Sequence, residues 1–193
     1  MFLHHAVSAG LPAYYFFPMK GVVEMASTEW KKIVVSLLLC GGMGLSPIVW
    51  AAHHNLHVDI PVKLKPVKVV FNMAHDTFAG DVPVGMHYME VLANRLKKDH
   101  VKGTIIGVFH FQAAYMNLND KSYNAVRHVK TGNPYKSIVA DLMKKGVGIE
   151  ECVNSMKAHH WTNSNLLPGV KVVDGAVPRL IQLQQEGYSV IEP

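Results

Sequence analysis

Short segments rich in β-branched residues alternate with amphipathic segments along the C-terminal two thirds of this chain. The period-2 or continuous apolar runs predict strands at residues 67–72, 103–109, 147–151, 170–173 and 188–191. Apolar residues at helical spacing predict helices at residues 84–98, 135–145, 154–160 and 177–186. This order predicts an α/β three-layer sandwich of about five mostly parallel strands with helices on both faces.

The N-terminal third has a different pattern, which is typical of an export signal. The charged residues Lys31 and Lys32 precede an apolar run from Ile33 to Trp50. The run meets a cleavage site, Val49-Trp50-Ala51, with small or compact residues at the two positions that a signal peptidase reads. We therefore expect residues 25–51 to be a signal peptide, residues 52–65 an extended arm, and residues 66–193 the folded domain. Residues 1–24 do not fit a signal peptide and indicate a start site assigned too early. The predicted location is the periplasm, with no stable membrane insertion after cleavage.

An uncleaved membrane anchor is the alternative for the same apolar run. The run is about 18 residues long, which is the lower limit for spanning a bilayer. Its glycines and the cleavage site after Ala51 favour a cleaved signal.

The chain has two cysteines, and only one of them lies in the predicted mature protein. Cys40 falls inside the apolar run, where the bulky Leu39 before it disfavours a lipoprotein site. Removal of the signal leaves Cys152 as the sole thiol, so no intramolecular disulfide can form. A lone thiol in an oxidising compartment is unusual.

Polar and reactive side chains follow the predicted strands at the edge where open parallel sheets bind ligands. They are Asn72, His75 and Asp76 after the first strand, His110 and Gln112 after the second, and Cys152 and Asn154 after the third. Cys152 lies at the start of a predicted helix, where backbone N–H groups favour a thiolate. Glu150 and Glu151 oppose this because their negative charges disfavour a second anion. A structural cysteine that packs as a small hydrophobe is the alternative.

The cysteine segment resembles that of the DsrE-like (DsrE/DsrF-like) family. The similarity is carried by GVGIEECVNSM at 146–156, NLLPGVKVVDGAVPRL at 165–180 and LQQEGYSVI at 183–191. It extends less specifically to the first strand and to Val108-Phe109-His110, and it covers nearly all of the predicted mature chain.

This resemblance implies a flavodoxin-like sheet and a homo-oligomer, either a trimer or a hexamer. It also implies that Cys152 carries sulfur as a persulfide and exchanges it with a sulfur donor or acceptor protein. His75 and His110 are then candidate acid/base neighbours, with Asn72, Gln112 and Asn154 as further pocket residues. The predicted signal peptide distinguishes this chain from the cytoplasmic relatives. The alternative function is a non-catalytic oligomeric module that binds a small ligand or a metal.

Metal binding has one specific candidate site. Cleavage after Ala51 would expose an N-terminus Ala52-His53-His54, and a free amine with a histidine at the third position suits Cu(II) or Ni(II). No paired-cysteine zinc motif occurs, and we expect no other cofactor.

Nucleic-acid and nucleotide binding have no support in the sequence. The net charge of +5 comes from scattered Lys and Arg residues, with no basic stripe. No P-loop, dinucleotide-binding glycine motif or nucleophile elbow is present. We therefore expect no nucleic-acid partner.

Overall fold

A five-stranded parallel sheet forms the centre of the domain in this computed structural model, which describes residues 57–193. The strands of residues 57–193 are β1 (Val67–Met73), β2 (Phe78–Ala79), β3 (Val82–Pro83), β4 (Gly103–Phe109), β5 (Gly148–Cys152), β6 (Lys171–Val173) and β7 (Ser189–Ile191). The central sheet contains all of these except β2 and β3. The helices are α1 (Val84–Lys98), α2 (Asp120–Arg127), α3 (Lys136–Lys144), α4 (Val153–Ala158) and α5 (Ala176–Gln185), with 3₁₀ segments at Phe111–Asn117 and Asn163–Asn165.

The central sheet has the order β6-β5-β4-β1-β7, and all its neighbouring strands are parallel. The chain adds β4, β5 and β6 successively on one side of β1 and then returns to place β7 on the other side. β2 and β3 form a separate antiparallel hairpin between β1 and α1. Because parallel crossovers are right-handed, the reversal after β6 moves α5 to the opposite face from the earlier helices.

Two apolar cores follow from this arrangement, one on each face of the sheet. On one face, Phe71 and Phe109 pack with Met86 and Met89 of α1 and with Leu142 of α3. On the other face, a smaller core joins strand residues to the inner side of α5, and it contains Val70, Ile106, Val108, Cys152, Ala176 and Leu183. The predicted three-layer sandwich with helices on both faces is therefore confirmed.

The five predicted strands of the sheet and the four predicted helices are all present, with small differences at their ends. The helix predicted to reach His160 ends at Ala158, because His160 adopts a left-handed backbone with φ of 57°. The Trp161 N–H then donates to the Met156 carbonyl at 2.9 Å, which closes the helix end.

The segment between β4 and α3 contains structure that the sequence analysis did not predict. It folds into the 3₁₀ segment Phe111–Asn117 and the helix α2, whose N-cap Asn119 accepts the Ser122 N–H at 2.9 Å. Residues 57–65, the described part of the predicted arm, contain no helix or strand. None of the helices between residues 57 and 193 has the length and apolar character needed to cross a membrane.

Candidate functional site

Cys152 is the last residue of β5 and the N-cap of α4, so the strand-to-helix position predicted for it is correct. Strand alternation directs its side chain to the face of the sheet that α5 covers. There its Sγ accepts the backbone N–H of Ala176, the first residue of α5, at 3.2 Å. The N-terminus of the ten-residue helix α5 thus contacts the sulfur.

A pocket of about 360 Å³ opens over Cys152 at the carboxyl edge of the sheet. Its walls include His110, Asn154 and Ser155, together with the first residues of α5. Cys152 is only 4% exposed, yet it lines this open pocket. A small reagent that enters the pocket can therefore contact the sulfur, while a large one cannot.

His110 is held in one orientation by a chain of hydrogen bonds. Asn72 donates its amide to Glu192 at 2.8 Å, which turns Asn72 Oδ1 toward His110 Nε2 at 2.7 Å. Burial, and secondarily the charge of His75, lower the pKa of His110. Neutral His110 therefore donates from Nε2 to Asn72 and keeps the lone pair on Nδ1, which makes it a candidate base.

Three of the predicted pocket neighbours, Asn72, His75 and Gln112, do not line the Cys152 pocket, although Asn72 bonds to His110, which does. His75 Nδ1 is 2.9 Å from Gln112 Oε1, both side chains are exposed, and neither lines the Cys152 pocket. Gln112 instead lines a neighbouring pocket. The expectation that both residues converge on Cys152 is therefore wrong. The 3₁₀ turn after β4 carries Gln112 away from the strand end that it follows in sequence.

Phe111 separates the two pockets and has a strained backbone. Its φ is 52°, a conformation that bulky side chains rarely adopt, and 64% of the residue is exposed. The Phe111 N–H donates to Ser155 Oγ at 2.9 Å, which ties the turn to α4. The exposed phenyl ring and His159 form part of the wall of both pockets.

The two glutamates before Cys152 lie on opposite faces of the sheet and have different environments. Glu150 forms a bidentate ion pair with Arg179 of α5. Arg179 Nε donates to Oε2 at 2.8 Å and Nη2 donates to Oε1 at 2.7 Å, and these hydrogen bonds raise the pKa of Arg179. Glu151 is fully buried beside Asn117, and burial raises its pKa well above the usual value. Arg179 offsets the charge of Glu150 and burial disfavours the ionised form of Glu151, so the two glutamates do not act as a pair of free negative charges.

Residues 57–193 contain no group of three or more His, Cys, Asp or Glu side chains placed to hold a metal ion. The predicted copper or nickel site at Ala52, His53 and His54 lies outside the described residues.

Sequence reasoning did not identify three contributors to this site. These are the Ala176 N–H, the Phe111 ring and the Arg179 guanidinium. Gly175-Ala176 and Arg179 fall inside the segment that carries the family resemblance, which was the only available signal. Phe111 had no sequence signal, since its importance comes from a turn that was not predicted.

Comparisons with known proteins agree with this architecture. Residues 69–193 match the sequence model of the DsrE/DsrF-like family. No curated protein matches the chain significantly. A protein of unknown function from Methanobacterium thermoautotrophicum has a similar solved structure, with a TM-score of 0.54 and 24% identity, covering 66% of this chain and 99% of that one.

A second solved structure, that of the YchN protein from E. coli, is more distant. It has a TM-score of 0.39 and 14% identity, covering 67% of this chain and all of the other. The first of these structures supports the fold.

Proposed function

Since the chain belongs to the DsrE/DsrF-like family, which is associated with sulfur relay, we propose that it carries sulfane sulfur as a persulfide on Cys152. The observation that carries this proposal is the hydrogen bond from the first N–H of α5 to Cys152 Sγ, inside a pocket open to small molecules. An anionic sulfur is the reactive form in persulfide chemistry, and the Ala176 N–H is placed to donate a hydrogen bond to it.

Loading requires only groups found at this site and a sulfane donor. The Cys152 thiolate attacks a terminal sulfur of a polysulfide and forms a new S–S bond. The bond between that terminal sulfur and the next sulfur breaks, and the shortened polysulfide leaves with the electron pair. The pocket volume of about 360 Å³ admits such a linear anion. His110, neutral with a lone pair on Nδ1, is placed in the same pocket to accept the thiol proton.

The proposal includes export and self-association. The protein is a periplasmic carrier whose signal is cleaved after Ala51, and it forms a trimer or a hexamer. The exposed apolar side chains Tyr88, Val91 and Ile191 line one groove and support self-association, because a contiguous exposed apolar patch is typical of an interaction surface.

Intact mass spectrometry of the protein recovered from the periplasm tests the carrier and its export together. We expect a chain that begins at Ala52 and that gains reductant-sensitive additions of about 32 Da per sulfur after polysulfide treatment. Cys152→Ser should abolish these additions, since no other thiol lies in that chain.

A second variant tests the contact with α5. Ala176→Pro removes the N–H donor at the first helical position, where proline is tolerated. Loading should slow by roughly tenfold or more, because a hydrogen bond to the charged sulfur nucleophile is lost. A wild-type thiol that stays unmodified would contradict the carrier function and would favour a non-catalytic small-ligand-binding module.

A further inference from the structure

A second pocket of about 430 Å³ adjoins the Cys152 pocket. It lies beyond the ends of β1 and β4 and is walled by the 3₁₀ turn, by the end of α2 and by the residues after α4. Phe111 and His159 line both pockets, so a ligand held in one pocket lies beside the other. Cys152 does not line this second pocket. The polar side chains that line the second pocket have no part in the proposed carrier chemistry.

Two opposite charges face this second pocket without neutralising each other. Tyr115 separates them: its hydroxyl donates to Asp76 at 3.1 Å, and the Arg127 guanidinium lies 4.5 Å from the centre of its ring. Among residues 57–193, neither Asp76 nor Arg127 forms an ion pair. A cavity that presents a carboxylate and a guanidinium at separate points is complementary to a zwitterion.

Aromatic rings form much of the remaining wall, beside Gln112 and Val126. His159 and Trp161 stack with their ring centres 4.5 Å apart and an interplanar angle of 17°, and Phe111 lies largely exposed at the junction with the Cys152 pocket. Aromatic rings contact divalent sulfur favourably. A sulfur-bearing side chain that extends from the charged anchors toward Cys152 would therefore pass along compatible surface.

We propose that this pocket binds the α-amino-acid end of a low-molecular-weight thiol, with its carboxylate on Arg127 and its ammonium on Asp76, and that this thiol exchanges sulfane sulfur with Cys152. The exchange step rests on the proposed function, whereas the recognition of the amino-acid end does not.

The exchange balances without any further reactant. The ligand thiolate attacks the outer sulfur of the Cys152 persulfide, the existing S–S bond breaks, and the Cys152 thiolate leaves with the electron pair. A new S–S bond joins the transferred sulfur, which keeps its proton, to the ligand. The reverse reaction loads Cys152, and no net oxidation or reduction occurs in either direction.

Binding is tested apart from sulfur chemistry with S-methyl-L-cysteine, which has both charges and cannot react. Titration calorimetry on the Cys152→Ser protein should show saturable binding. Asp76→Asn and Arg127→Gln should each weaken it by about tenfold or more, because each removes a charge-assisted contact. Lys130→Gln, at an exposed cation outside the pocket, should leave the affinity unchanged. No binding, or equal binding by all four proteins, would overturn the site.

Transfer is tested by mixing the persulfidated protein with L-cysteine, cysteamine or 3-mercaptopropionate and comparing rates per thiolate. Cysteine should react with saturation and about tenfold faster than the two thiols that lack one charge. Arg127→Gln should remove its advantage over cysteamine, and Asp76→Asn its advantage over 3-mercaptopropionate.

The two proposals fail in different ways. Three equal, non-saturating rates from a protein that does form the persulfide would overturn the amino-acid site and leave the carrier standing. Binding of S-methyl-L-cysteine by a protein that never forms the persulfide would overturn the exchange step and the carrier while keeping the site.

Discussion

At the scale of single residues, the neighbours of Cys152 show how position in the fold changes chemistry. Glu150 and Glu151 are adjacent in sequence, but strand alternation points them to opposite faces. Glu151 accepts hydrogen bonds from the Asn117 amide at 2.9 Å and from the Cys152 N–H at 3.2 Å. These bonds favour the ionised form, yet they do not offset the burial that raises its pKa. Burial therefore favours the protonated form of this carboxyl group over its ionised form.

This buried carboxyl makes stability depend on pH. Because its pKa is raised in the folded state, folding is favoured below the unfolded value and loses that contribution as pH rises toward the folded one. We expect the difference in the free energy of unfolding, wild type minus Glu151→Gln, to fall as pH rises from the unfolded-state pKa of Glu151 toward its folded-state pKa. The slope should reach at most about 1.4 kcal/mol per pH unit.

Urea unfolding of both proteins at a series of pH values from acid to mildly alkaline measures this difference. The contributions of the other titratable groups are common to both proteins and cancel when the two free energies are subtracted. A wild-type minus variant difference that stays constant, or that grows with pH in favour of the wild type, would show that Glu151 is ionised in the fold.

At the scale of elements, the pair Glu150–Arg179 joins β5 to α5. The glutamate is 6% exposed, and the guanidinium donates two hydrogen bonds to its two oxygens. The same helix brings the Ala176 N–H to Cys152 Sγ, so the ion pair also positions the N-terminus of α5 against the sulfur. Gly175 makes this approach possible through a φ of 92°, which favours glycine.

Breaking this pair on one side should be costly. Arg179→Gln leaves a buried carboxylate without a partner and is expected to destabilise the protein by about 3–5 kcal/mol, while the double change with Glu150→Gln costs less than the single change. Lys144→Gln, which breaks the exposed pair with Asp141, is the control and should cost less than about 1 kcal/mol. Chemical denaturation measures all three, and a double variant less stable than Arg179→Gln would refute the argument.

At the scale of the whole molecule, one apolar groove is left uncovered in the described part of the chain. It has a volume of about 280 Å³ and lies between α1 and the edge strand β7, where Tyr88 and Val91 are about half exposed. Phe71, Leu92 and Ile191 form its floor and sides. A second copy of the chain is the occupant that fits the homo-oligomer implied by the family resemblance.

Native mass spectrometry and light scattering test this assembly. The wild type should form a trimer or a hexamer, and Val91→Glu should shift it toward the monomer. A carboxylate buried in an apolar interface is strongly unfavourable, and Arg95, the cation that also lines this groove, is already paired with Asp99. Val129→Glu places the same charge at an exposed valine outside the groove and should not change the mass. A wild-type monomer at all concentrations, or a Val91→Glu oligomer, would refute the role of this groove.

The sequence alone was sufficient for the order and type of the main elements. The spacing of apolar residues and the β-branched content indicate which side chains of a segment are buried in the core. This local information located β1, β4, β5 and the helices that connect them. It also placed Cys152 at the carboxyl end of a strand. The segment from Phe111 to Arg127 was missed because its 3₁₀ turn and short helix lack a long amphipathic pattern.

Only the tertiary structure decided what surrounds the thiol. The N–H that Cys152 Sγ accepts comes from Ala176, 24 residues away, because the return crossover after β6 brings α5 across the sheet. The same fold neutralises two adjacent glutamates by different means, and it separates His75 and Gln112 from the pocket that His110 lines. Local patterns determine which face a residue occupies. The identity of the partner on that face depends on chain topology, which brings together residues that are distant in sequence.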